Sequence, residues 1–168
     1  MVEICTERLL IRPARAEDLD AFHAMLSDGR AMAYWYRTLH DIIDDTRDWL
    51  DAMIDIDPRT GEDFVVEREG RVIGKAGLRR FPTIGYIFHP DAWGQGFATE
   101  ALRPIIDRAF AVHRLPMIEA EVDPRNRPSL RLLARMGFEP FRYVPRACCV
   151  AGTWSDSVFL RLAAPATA

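Results

Sequence analysis

Cysteine is scarce in this chain: three residues in 168, at Cys5, Cys148 and Cys149. An odd count with two neighbours side by side is no disulfide framework, and no Cys/His spacing suggests zinc. No metal is expected. Excess charge of one sign is missing too. Twenty-two Lys and Arg stand against 25 Asp and Glu, a formal net charge of −3, which argues against general nucleic-acid binding. No apolar run reaches the roughly 20 residues of a membrane span. The N-terminus carries Glu3, Glu7 and Arg8 and has no signal-peptide core, so a cytoplasmic setting is expected. Repeats and low-complexity segments are absent, and only the Ala-Pro-rich tail from Ala163 reads as frayed. No Gly-Lys-Ser/Thr follows any glycine turn, so there is no P-loop.

What remains is an ordinary globular composition, 49% apolar and 28% charged. The length predicts one domain, residues 1–168. A short strand over Glu7–Arg12 is closed by Pro13. Helices follow over Ala16–Leu26 and Asp44–Ile56, each with apolar residues at helical spacing. Between them Tyr34, Trp35 and Tyr36 form an aromatic cluster, readable as a clamp between helices or as the wall of an acceptor pocket. Asp63–Arg68 and Val72–Arg80 read as a hairpin around Glu69-Gly70. The strand at Ile84 comes next, then a helix to about His113 with Pro104 inside it, where a bend is expected. Met117–Val122 is a strand, Ser129–Met136 a helix stopped by Gly137, and Phe138–Val144 and Thr153–Leu162 are the last strands. Cys148, Cys149 and Gly152 fall in their connection. The expected class is α+β: a mixed, mostly antiparallel seven-stranded sheet flanked by about four helices.

The chain is organised around Ile84–Leu102, IGYIFHPDAWGQGFATEAL. It reads as strand, glycine turn and helix N-terminus. A helix leaves its first four N–H groups unsatisfied, and its dipole adds partial positive charge there. Phosphate binds well at such a place. A side chain at Gly94 or Gly96 would hold a diphosphate off the amides or forbid the backbone angles. Taken alone, the turn fits a phosphate site and a plain strand-to-helix bend equally. The third glycine of a dinucleotide fingerprint is missing.

Four stretches together resemble the GNAT superfamily of N-acetyltransferases, in the branch that acetylates ribosomal-protein N-termini and small amines. They are TERLLIRPARAEDLDAF, VIGKAGL, the glycine-turn stretch itself, and EAEVDPRNRPSLRLLARMGFE. The resemblance implies acetyl-CoA as cosubstrate. It implies that Tyr86, Ile87 and Phe88 lie along the pantetheine arm, in a gap where this strand splays from the next. The turn residues Trp93, Gly94, Gln95, Gly96, Phe97, Ala98 and Thr99 would hold the pyrophosphate. Asn126 and Ser129 match the Asn-x-x-Ser that faces the thiol end. Arg131 and Arg135 are candidates for the ribose phosphate, or else a solvated helix face.

Two departures matter. Trp93 stands at a first motif position often held by Gln or Arg, which shifts phosphate contacts towards backbone amides. Leu133 stands where many members have the Tyr that protonates the departing thiolate, which leaves Ser129 as the motif's substitute; the alternative is that Ser129 merely caps its helix. The general base is open among Glu119, Glu121, Asp123 and His89, with Glu119 and Glu121 on one side of their strand by parity. The expected function is acetyl transfer to a primary amine, a small molecule or a peptide N-terminus, by direct attack in a ternary complex. The alternative is a non-catalytic acyl-CoA sensor. Neither a nucleic acid nor a membrane is expected as partner. A homodimer is expected through the last strands, at Trp154 and the Phe159-Leu160 edge.

Overall fold

A computed structural model describes residues 2–165. One eight-stranded sheet runs in the order β1-β2-β3-β4-β5-β6-β8-β7. Its strands are β1 (Ile4–Cys5), β2 (Leu10–Arg12), β3 (Glu62–Arg68), β4 (Arg71–Arg80), β5 (Thr83–Phe88), β6 (Met117–Val122), β7 (Glu139–Val150) and β8 (Thr153–Ala163). Four α-helices flank it: α1 (Leu19–Leu26), α2 (Ile43–Ile54), α3 (Phe97–Ala111) and α4 (Arg127–Arg135). Neighbouring strands are antiparallel except β5 and β6.

Strand alternation sorts side chains to two faces. Ala76, Leu78, Ile84, Phe88, Ile118, Ala120 and Val122 join α3 and α4 in the larger apolar core. Val65 and Ile87 point the other way, into a second core with Phe22, Met25, Leu26, Trp49, Leu50 and Met53 of α1 and α2. Lys75 of β4 and Glu119 and Glu121 of β6 share this second face by the same parity, and Arg79 lines a cavity on that side together with Trp49 and Tyr36.

The expected first strand is shorter than Glu7–Arg12, and the sheet gains β1. Thr6 and Leu9 close a turn: the Thr6 N–H donates to Leu9 O (2.9 Å), and Thr6 Oγ1 accepts from Leu9 N–H (3.1 Å). The Arg8 N–H is taken by Glu100 Oε1 at 2.8 Å, so Glu7 and Arg8 lie outside the ladder. Three corrections follow at the other end. Cys148 and Cys149 belong to β7, paired with Ser155 and Trp154. The real connection is Ala151-Gly152, both at positive φ (47° and 79°), a two-residue hairpin turn. Leu160 is buried, and β8 lies between β6 and β7, so Phe159-Leu160 is no sheet edge. The tail expected to fray from Ala163 is partly ordered, since β8 includes Ala163; residues 166–168 lie outside the described residues. Helix α3 runs through Pro104 without interruption.

Beneath β2, the Arg12 guanidinium bonds both Asp18 oxygens (2.9 and 2.7 Å) and Glu67 (2.7 Å). Arg12 and Asp18 are buried. The bidentate geometry offsets the cost of taking both charges from water.

Candidate active site

β5 and β6 touch at one register pair, Thr83 opposite Glu119, with a further bond from Glu119 N–H to Pro82 O (3.0 Å). No ladder pair joins them beyond that point. The gap opens towards Phe88 and Val122. A cavity of about 1440 Å³ fills it and extends to both sides of the sheet. Every residue expected along the cofactor lines this cavity except Gln95. The Gln95 amide instead donates to Asp91 O at 2.8 Å, fastening the turn.

Positive φ is what the turn demands of its glycines. Gly94 has φ 73° and Gly96, the N-cap of α3, has φ 83°. A Cβ at Gly94 would meet nothing, and one at Gly96 only Arg8 Nη2 at 3.5 Å. Backbone angle is therefore the reason for glycine, and the protein leaves the space beside the turn open. The first helical bond runs from Glu100 N–H to Gly96 O (3.0 Å). The N–H groups of Phe97, Ala98 and Thr99 thus precede the intrahelical ladder, the arrangement that suits an anion. Trp93 is half exposed, but its indole N–H donates to Phe88 O (2.9 Å), clipping the end of β5 to the turn. Arg131 and Arg135 are exposed on α4 and line the same cavity.

On the α3–α4 side of the gap, α4 begins with its cap resolved. Asn126 Oδ1 accepts from the Ser129 N–H at 3.2 Å, so Asn126 is the cap and Ser129 is not. Gly137 (φ 89°) ends the helix: its N–H donates to Ala134 O and that of Phe138 to Leu133 O (3.1 and 3.0 Å), a Schellman pair. Freed from capping, Ser129 Oγ lies 2.6 Å from the Tyr86 hydroxyl, across from β5. Burial pushes the Tyr86 phenol up to about 12, against a smaller lowering by Ser129. Leu133 is fully buried among apolar residues and brings no polar atom. Nothing in the spacing of the sequence links Tyr86 with Ser129. A Tyr in a strand of apolar residues was the only available sign.

On the α1–α2 side the four candidate bases part company. His89 does not line the cavity; its Nδ1 accepts from the Asp91 N–H at 3.3 Å. Glu119 is held by Arg161 (2.7 Å). Burial opposes ionisation of Asp123, but hydrogen bonds from Arg125 outweigh it and hold the carboxyl below the usual range. Glu121 lines the cavity, accepts one hydrogen bond from Ser157 (2.6 Å), and has no cationic partner among the described residues. Tyr34, Trp35 and Tyr36 wall the same side, with Trp35 and Tyr36 stacked at 5.3 Å. His23 bonds Thr46 (2.9 Å) at the edge of the second core.

Unforeseen in the sequence is a charged floor on this face. The Lys75 ammonium donates to Asp63 Oδ2 at 2.8 Å, both buried, and sits 5.7 Å and 5.9 Å from the Trp35 and Trp49 rings. A lysine among the small residues of VIGKAGL was a visible anomaly, but its partner across the hairpin was not. Among the described residues, no group could hold a metal through three or more His, Cys, Asp or Glu.

Comparison with known proteins agrees with this geometry. The acetyltransferase (GNAT) domain family matches residues 8–139. The uncharacterized N-acetyltransferase p20 of Bacillus licheniformis is 31% identical over 148 residues, 83% of each chain. A GNAT-family acetyltransferase structure from Bacillus anthracis superposes with a TM-score of 0.84 at 26% identity, covering 96% of this chain and 98% of that one. The ribosomal L7/L12 acetyltransferase RimL, solved with coenzyme A, shares the fold at a TM-score of 0.85 and 16% identity, over 99% of this chain and 100% of that one. The chain belongs to the GNAT family of N-acetyltransferases.

Proposed function

We propose that this protein transfers the acetyl group of acetyl-CoA directly to a primary amine, with both reactants held in one ternary complex. The carrying observation is the single cavity that joins an anion-binding helix start, a splayed strand pair, the Tyr86–Ser129 hydroxyls and the Glu121 carboxylate. The pyrophosphate would sit on the amides from Gly94 to Thr99, with Arg131 and Arg135 beside it. The pantetheine arm would follow Tyr86, Ile87 and Phe88.

The remaining steps fall to side chains and backbone donors that line the gap. Glu121 takes a proton from the attacking amine, directly or through water. The amine nitrogen bonds to the thioester carbonyl carbon, and a backbone N–H of the gap stabilises the oxyanion. Collapse breaks the carbon–sulfur bond, and the thiolate leaves towards Ser129. Tyr86 holds its own proton far above neutral pH. It donates to Ser129 Oγ and leaves the serine O–H free to bond the sulfur. A thiolate is a far better leaving group than an amine or alkoxide, so a hydrogen bond suffices to help it depart. Holding the reactants together supplies much of the rate.

A panel of small amines and peptide N-termini, incubated with acetyl-CoA and read by free-thiol release, tests the reading. Thiol release with at least one acceptor is expected. Coenzyme A binding without release from any acceptor overturns it. A homodimer through the β7–β8 hairpin, where Trp154, Tyr143 and Phe141 are exposed, is part of the same proposal; light scattering showing only monomer at high concentration sinks that part.

A further inference from the structure

The second face of the gap holds an arginine that pairs with no carboxylate among the described residues. Asp63 and Lys75 are buried and paired with each other. Arg79 stands four residues after Lys75, past a shift in the β4–β5 register, and lines the same cavity as Lys75. Its Nη1 is buried and bonds nothing among the described residues, and Asp63 Oδ1 is likewise unbonded. Arg79 is near enough for its charge to act on Asp63 but makes no salt bridge with it. Lys75 is taken up by Asp63, which leaves the Arg79 guanidinium without a bonded partner among the described residues. Arg79 also lines two cavities: the large one, with Glu121 and the aromatic wall, and a smaller one of about 550 Å³. Arg79 lines both cavities with no side-chain acceptor of its own among the described residues, so the guanidinium has donors to offer a ligand.

We infer that Arg79, with Lys75 behind it, forms a carboxylate subsite, and that the acceptor is an amine carrying a carboxylate group rather than a polyamine or a simple alkylamine. The two functions would then be divided across the cavity: Glu121 receives the amine's proton at the gap, and the Arg79 fork receives the carboxylate deeper along β4. Arginine suits this task because its planar donors match a carboxylate in pairs. A polyamine would instead bring a second cation towards the unpaired Arg79 guanidinium. The inference rests on the acetyl-transfer reading above.

The test compares matched acceptors on the natural protein with saturating acetyl-CoA. One arm uses L-amino acids, their primary amides and their decarboxylated amines. A second uses dipeptide amides, with the C-terminus blocked, whose second residue is acidic or neutral. Loss of one charged hydrogen bond predicts a preference of roughly 10- to 150-fold in kcat/KM for the carboxylate form. Preference in the first arm identifies a free amino acid as the source; preference confined to the second identifies an acidic peptide. Equal or better turnover of the carboxylate-free amines overturns the subsite while leaving acetyl transfer intact. Absence of thiol release with every acceptor overturns acetyl transfer and the subsite together. Arg79→Gln should erase the carboxylate preference and leave the KM for acetyl-CoA unchanged. If Arg79→Gln slows both acceptor forms equally, the role of Arg79 is structural. The ratio on the natural protein decides the matter even where the variant folds poorly.

Discussion

The two sides of the β5–β6 gap are built from different materials. The proposed cofactor side is mostly backbone: two glycines at positive φ, a helix start, and a short strand whose partner turns away. Its side chains work mainly to hold that backbone, as Trp93 does on Phe88 and Gln95 on Asp91. The proposed acceptor side is mostly side chain: Glu121, Lys75, Arg79 and the Tyr34–Tyr36 segment, supplied by three stretches far apart in sequence. A backbone site tolerates changes in side-chain identity but not in φ. A side-chain site depends on each charge having its partner. Substitutions on the two sides should therefore fail in different ways.

The largest effect is expected on the acceptor side. Lys75→Met removes the counter-ion of a buried carboxylate, and breaking such a pair costs about 3–5 kcal/mol. Urea denaturation at neutral pH measures it. The pH dependence sharpens the point. Burial raises the Asp63 carboxyl above its ordinary value, with Lys75 opposing. A raised folded value means stability that is present in acid, below the unfolded carboxyl's titration, and lost as pH rises through the folded value. Without Lys75 the folded value climbs further, so the deficit should shrink at low pH. A deficit independent of pH would mean that packing of the lysine stem, not charge, was lost.

On the cofactor side Gly96→Val should act through φ alone, since the new side chain meets only the movable end of Arg8. Coenzyme A should stabilise the natural protein by about 2.7 kcal/mol at a hundredfold excess over its dissociation constant. The variant should lose that gain and remain folded. An unchanged melting temperature of the natural protein in millimolar coenzyme A would contradict the site outright.

The same contrast explains what could be read in advance. The glycine turn is local: Phe88, Gly94, Gly96 and the helix start lie within a dozen residues, and their chemistry follows from order alone. Alternation in MIEAEV placed Glu119 and Glu121 on one face correctly. The contacts that distinguish this site span the chain. Asp63 meets Lys75 across a hairpin, Glu121 meets Ser157 across a strand pair, and Tyr86 meets Ser129 across the sheet. No spacing rule reports such meetings. The β7 boundary was missed for a local reason: Cys148-Cys149-Val150 has no periodic pattern, and its strand character comes from pairing with Ser155, Trp154 and Thr153.

Ser129→Ala should lower kcat about tenfold to a hundredfold, at or below the low end of what loss of general-acid help costs. Affinity for acetyl-CoA should change little. Wild-type turnover in the variant would leave ordered water as the proton source.

Asn126→Ala gives the smallest effect and the finest distinction, because Asn126 and Ser129 share one helix start. The Asn126 oxygen accepts the Ser129 N–H, so its removal strips the cap. Loss of such a cap costs about 1 kcal/mol. The Ser129 side chain makes no capping bond; it bonds Tyr86. Its loss should therefore fall on turnover, with a stability change limited to one hydroxyl pair. The two variants should trade places: Asn126→Ala with a lowered melting temperature and turnover reduced only as far as Ser129 loses its position, Ser129→Ala with a nearly normal melting temperature and impaired kcat. Adding Gly at position 126 in a third variant, which restores most of a missing cap, should recover stability. If kcat recovers with it, Asn126 acts by positioning Ser129. If kcat stays low while stability returns, the Asn126 amide itself contacts the reacting end of the cofactor.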